Sequence, residues 1–240
     1  MFVALAVIVV VLVGVSIVGL RNPLWFRTLA RQRDPVKTGT LRGYAREASA
    51  DGLTSITFSV SPFYMGPSSL DDVVSDYSTV VAQLLRQEVT YNETEDDITT
   101  WYKFRISETL SKKPFIPCTG CTGSEVQPAN LLPLRPGEIL VPLMGGATMI
   151  ENVIVVRKLE SFPGFVDGKT YLLFLNIDTT SSMGSLDFGP RGALLVSADN
   201  ILMPVMPSED LMIVDMASQY GSSLNQLREA LKPSSMTPKL

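Results

Sequence analysis

Across 240 residues the chain carries 20 basic and 24 acidic side chains, a net charge of −4, and not one histidine. The missing imidazole removes Ser-His-Asp and Cys-His nucleophile systems, His-ligated zinc, haem held by histidine and histidine proton shuttles. The acidic balance leaves no nucleic-acid footprint over the bulk of the chain.

Met1 to Leu20 contain no charge and no Pro and consist mostly of Val, Leu, Ile and Ala. A helix of that length, at about 1.5 Å per residue, reaches across a hydrocarbon core of about 30 Å, and no second stretch is long and apolar enough to do so. The expectation is one transmembrane helix over residues 1–20, embedded in membrane lipid. No Lys or Arg precedes it and Val18 to Pro23 offer no Ala-x-Ala-like step, so it reads as a retained signal anchor rather than a cleaved peptide. Orientation has two readings. Arg21, Arg27, Arg31, Arg33, Lys37, Arg42 and Arg46 all follow the helix, which by the positive-inside rule puts the remainder in the cytoplasm. The missing basic n-region, which leaves room for a start upstream of Met1, and the strand-rich remainder favour an extracytoplasmic domain, the reading adopted here.

Residues 21–68 read as a basic juxtamembrane segment and linker. Arg21, Trp25, Phe26 and Arg27 are the candidate membrane-interface residues, because arginines and aromatic rings sit comfortably among headgroups. From Thr38 to Ser69 the chain is rich in Gly, Ser, Thr and Ala, with one strand-like alternation, Ile56, Phe58 and Val60, ending at Pro62. Ser69 followed by Asp71 and Asp72 opens a short helix.

Strands then follow one another between turn residues: Val80 to Thr90, Ile98 to Glu108, Glu138 to Met144, Asn152 to Lys158, Tyr171 to Asn176, Ala193 to Ser197 and Ile201 to Val205. Ile98, Tyr102, Phe104 and Ile106 share one face of their strand, and Lys103, Arg105 and Ser107 the other. That alternation predicts an antiparallel sheet covered on a single side, as in a small barrel. Glu93, Glu95, Asp96 and Asp97 read as a solvated hairpin loop rather than a paired-carboxylate site. Gly145-Gly146 read as a turn or bulge, since neither a helix start nor a lysine follows, and Asp199-Asn200 as a hairpin turn.

The two cysteines, Cys118 and Cys121, form a lone CxxC between Pro117 and Gly123. Zinc or an iron-sulfur cluster needs four ligands, and a thioredoxin-type pair needs a helix start, whereas the surrounding Pro and Gly describe a loop. The pair reads as a candidate local disulfide, with redox activity or metal binding across a dimer as alternatives. No G-x-S-x-G, G-x-G-x-x-G, phosphate-loop or Ser-x-x-Lys motif occurs. After Pro207, Leu224, Leu227 and Leu231 recur at helical spacing. This predicts a helical cap over an open end of the barrel in residues 208–232, after a domain spanning 69–207 and before a disordered tail, 233–240.

The short helix, Thr79-Val80-Val81-Ala82, Thr99 to Ile106, Gly145-Gly146 and the stretch from Phe162 to Leu175 together give the chain its one resemblance. It resembles uncharacterised bacterial exported or membrane-anchored β-barrel proteins and, more distantly, is similar to netrin-like and tissue-inhibitor-of-metalloproteinase-like domains. The resemblance covers roughly Asp71 to Val205 and implies an OB-like five-stranded barrel that binds or inhibits proteins. Those inhibitors present an amino-terminal cysteine to a metal, and this chain has Met1 there, so no functional residue is carried over. The fold expectation is mainly β: a small antiparallel OB-like barrel with a short N-terminal and a C-terminal helix. The functional expectation is a non-catalytic envelope protein, structural or protein-binding, with an unknown envelope protein as partner. Neither cofactor, small-molecule substrate nor nucleic acid is expected. The alternative is a tethered thiol-redox or metal-binding protein using Cys118 and Cys121.

Overall fold

The computed structural model describes residues 39–61, 70–111, 127–178, 183–206 and 216–232. They divide into two compact units, one of residues up to Phe58 with Ala147–Val156, the other of Ser59–Gly146 with Arg157 onward.

In the first unit helix α1 (Leu41–Ala50) starts at Thr40, whose hydroxyl accepts from the Gly43 amide. It buries the narrow stripe Leu41, Ala45 and Ala48, and Tyr44 meets Phe58 with ring centroids 5.3 Å apart. Strand β1 (Ser55–Val60) forms one edge of a three-stranded sheet with β5 (Gly146–Ile150) and β6 (Val153–Leu159), in the order β1-β6-β5. Helix α1 lies in a stretch expected to be linker plus one strand. Gly43 and the many small residues hid it, since small side chains lower the apolar signal while permitting close packing.

The second unit holds α2 (Leu70–Asp76), β2 (Ser78–Asn92), β3 (Asp97–Thr109), β4 (Glu138–Met144), β7 (Thr170–Asp178), β8 (Met183–Ser185), β9 (Ala193–Val196), β10 (Leu202–Pro204) and α3 (Leu224–Leu231). Its sheet runs β10-β9-β7-β2-β3-β4-β8, and β8 also pairs with β7, so five strands close into a barrel. Neighbours in the ring are antiparallel except β4 and β8, which meet in parallel at Leu140 and Met183. Closure rests on β8, three residues that no periodicity flags. Strand β2 shifts register twice against β3, at Val81/Ala82 and Leu84/Arg86; such bulges bend a long strand around a small barrel. Gly145 and Gly146, with φ of +109° and +131°, turn the chain from β4 into β5, as expected of a turn. A Cβ on Gly146 would lie 2.6 Å from Thr100 Oγ1 and 2.8 Å from Val89 Cγ1. Asn200, at φ +59°, makes the β9-β10 turn as expected.

Alternation divides the core in two. Val80, Ala82, Leu84, Phe104, Ile139, Val141, Leu173 and Leu175 fill the barrel, whereas Val81, Leu172, Phe174 and Leu194 point outward into a second cluster with Val73, Met216, Leu224 and Leu227. The expected sheet with a single covered side is thus corrected for β2 and β7, which are buried on both faces because α2 and α3 cover their outer side. For the same reason α3 packs on the barrel wall rather than over an open end. Ser223 starts α3 with a capping box, its hydroxyl accepting from the Gln226 amide while the Gln226 side chain accepts from the Ser223 amide.

Candidate functional site

The outward face of β3 and β4 gathers the charges. Register sets Arg105 opposite Glu138 and Lys103 opposite Leu140, so both cations reach the carboxylate: Lys103 Nζ lies 2.8 Å from Glu138 Oε2, and Arg105 donates to Oε1 at 3.2 Å. The Arg135 amide donates to Oε2 at 3.0 Å. The Glu138 side chain is 2 % exposed, Lys103 15 % and Arg105 51 %, so the pair with Lys103 carries the interaction and that with Arg105 is screened by water. Burial alone would push the Glu138 carboxyl up. The Lys103 ammonium, the Arg135 amide and the Arg105 guanidinium outweigh it and hold the carboxyl below its ordinary value.

This wall is covered by the chain's own segment running into β4. Lys103 Nζ also donates to the carbonyls of Leu131, at 3.0 Å, and Pro133, at 3.4 Å. Leu131 packs with Trp101 and Leu140, the Trp101 indole donates to Thr90 Oγ1 at 2.9 Å, and Asn130 donates to Glu88 at 3.0 Å. With one buried carboxylate bound by two cations and a backbone amide, the arrangement clamps the loop that runs into β4.

The barrel end carries the second polar group of interest. Phe162 and Phe165, from the turn between β6 and β7, enter the interior and stack edge-on with each other, and Phe165 also meets Tyr102, Phe104 and Tyr171 edge-on, ring centroids 4.9 to 5.5 Å apart. The Tyr171 hydroxyl accepts from the Val166 amide at 2.8 Å, which pins the plug. Burial pushes the Tyr102 hydroxyl up to about 12 against hydrogen bonds from Thr100 and the Phe165 backbone, so it stays neutral.

Elsewhere polar contacts tie elements together. Arg228 grips Glu108 with a fork, 2.7 to 3.0 Å, joining α3 to β3. Tyr220 donates to Asp71. Asp97 pairs with Arg157, yet burial outweighs that cation and raises its carboxyl above the ordinary value.

Arg21, Trp25, Phe26, Arg27, Cys118 and Cys121 all lie outside the described residues. Glu93, Glu95 and Asp96 sit in the β2-β3 hairpin turn as expected, whereas Asp97, expected in the same solvated loop, opens β3 and pairs with Arg157. Among the described residues no three His, Cys, Asp or Glu gather into a group that could hold a metal, and no helix is long and apolar enough to cross a membrane, the run Met1 to Leu20 being outside them. The Glu138 clamp went unseen in the sequence. Alternation put Lys103 and Arg105 outward, but their partner is on another strand and only register supplies it. No protein-family model, curated protein or solved structure matches the chain.

Proposed function

We propose that the chain is a non-catalytic, single-pass membrane protein whose extracytoplasmic barrel serves as a structural or protein-binding module of the envelope. The observation that carries this reading is the filled interior: side chains from every long strand of the ring, with Phe162 and Phe165 at one end, occupy the space a small ligand would need. The wall that gathers charge is covered by the chain's own loop and its cations are bound to Glu138. A barrel of this kind has its outer surface and its loops to offer.

The OB-like reading of the barrel is supported by its strand order. The ring β2-β3-β4-β8-β7 with parallel β4 and β8 is the order of an OB barrel, whose walls and loops recur as binding surfaces. The distant resemblance to netrin-like domains, carried by Gly168, Lys169 and Tyr171-Leu172-Leu173-Phe174, points the same way, towards protein binding.

A second reading, thiol-redox or metal-binding activity at Cys118 and Cys121, is kept because a CxxC pair is present. Replacing both cysteines by Ser separates the two. If the reading is right, the variant keeps the thermal midpoint of the full chain in nanodiscs and complements a deletion strain as the parent does. Loss of complementation with an unchanged midpoint would favour thiol or metal chemistry.

A further inference from the structure

In the first unit the β5-β6 hairpin turns on Glu151 and Asn152, with φ of +50° and +64°, the left-handed pair that a two-residue type I′ turn requires. Such a turn sets Ile150 opposite Val153 and Met149 opposite Ile154 on the other face. Ile150 and Val153 are buried, whereas Met149 is 68 % and Ile154 45 % exposed. Adjacent bulky apolar side chains standing in water across one hairpin are unusual enough to ask what they meet. The turn's carboxylate does not oppose an anionic surface, because Arg42 and Arg46 both engage Glu151, at 3.2 and 3.1 Å.

Charge and chain length indicate the occupant. The first unit has seven basic and four acidic residues, a net of +3, leaving thirteen and twenty, a net of −7, in the other. Five of those seven basic residues lie between Arg21 and Lys37. A tether so basic is drawn to anionic headgroups, and the four residues from Lys37 to Leu41 span at most about 14 Å. Whatever surface holds Lys37 therefore holds α1 and its sheet close by. We propose that the exposed face of the β5-β6 hairpin rests on the anionic membrane surface, with Met149 and Ile154 entering the headgroup layer. The inference rests on the reading of Met1 to Leu20 as a membrane anchor and needs anionic lipid in the leaflet that the domain faces, on whichever side of the membrane that is.

The test uses the full chain carrying Cys118→Ser and Cys121→Ser, with Met149→Cys or, as a control on the other unit, Asp199→Cys. Each is labelled with a polarity-sensitive fluorophore and reconstituted in vesicles of phosphatidylcholine and phosphatidylglycerol, with or without brominated acyl chains. Met149 is exposed, so the label leaves the fold in place. The proposal expects the label at 149 to be quenched at least twofold by brominated lipid, with the label at 199 giving the quenching of a residue outside the hairpin. An unquenched label at 149 overturns it, and energy transfer between 149 labels on separate chains without lipid quenching overturns it in favour of a contact between copies. Alkaline extraction of the same vesicles tests the anchor apart. Protein retained but unquenched at 149 refutes the hairpin contact alone, whereas protein released by alkali refutes the anchor.

Discussion

At the scale of single residues, Glu138 is the group whose environment most changes its chemistry. Its carboxyl is buried and held below the ordinary glutamate value of 4.5 by Lys103, the Arg135 amide and Arg105. The stability this contributes is therefore whole above that value and is lost as pH falls through the lower, folded-state one. Glu138→Gln leaves Lys103 without its counter-ion, and breaking a buried pair from one side costs about 3 kcal/mol. Thermal unfolding of the full chain in nanodiscs should show a lower midpoint for Glu138→Gln at pH 7, with the gap to the parent closing as the pH is taken down through the lowered Glu138 value. A gap that persists in acid would mean the pair contributes packing rather than charge. Gly146 is the complementary case, a residue defined by what it lacks. At φ +131°, with Thr100 Oγ1 and Val89 Cγ1 closer than any real Cβ contact, Gly146→Ala combines backbone strain with overpacking and should cost about 2 to 4 kcal/mol in the same assay.

At the scale of elements, the barrel depends on a plug. Phe165 is 3 % exposed and meets Tyr102, Phe104, Phe162 and Tyr171. Phe165→Ala should destabilise by about 3 to 5 kcal/mol and sharpen nothing else; retention of the parent midpoint would show the barrel end to be loosely packed. Strand β3 was legible in the sequence because apolar residues recur at period two, and β2 and β7 because their first residues form β-branched and apolar runs. The strand from Glu138 to Met144 emerges with the bounds expected of it. What escaped had a physical cause. Strands β5 and β8 are five and three residues long, too short for alternation to register. Helix α1 packs through alanines, which carry little apolar signal. Helix α3 was seen from Leu224, Leu227 and Leu231, but whether it lay over an end or a wall depends on Val81, Leu172 and Phe174 pointing outward, and burial on both faces of a strand leaves no alternation to read.

At the scale of the whole molecule, the charges divide unevenly, with +3 in the unit that follows the apolar N-terminal run and −7 in the barrel unit. The same division sharpens the question of side. By the positive-inside rule the basic tether argues for the cytoplasm, whereas a lone CxxC between Pro117 and Gly123 suits an oxidising compartment. Of the candidate site residues, the clamp could be placed only through strand register, and the membrane and cysteine residues were legible solely as composition and spacing. The measurement that bears most directly on the proposed function is thiol labelling in intact cells with a membrane-impermeant maleimide, before and after an impermeant reductant. The account predicts that Cys118 and Cys121 label only after reduction, which places the barrel outside with an oxidised pair. Labelling that requires permeabilisation and finds both thiols reduced would contradict it, placing the barrel in the cytoplasm and moving thiol or metal chemistry to the front.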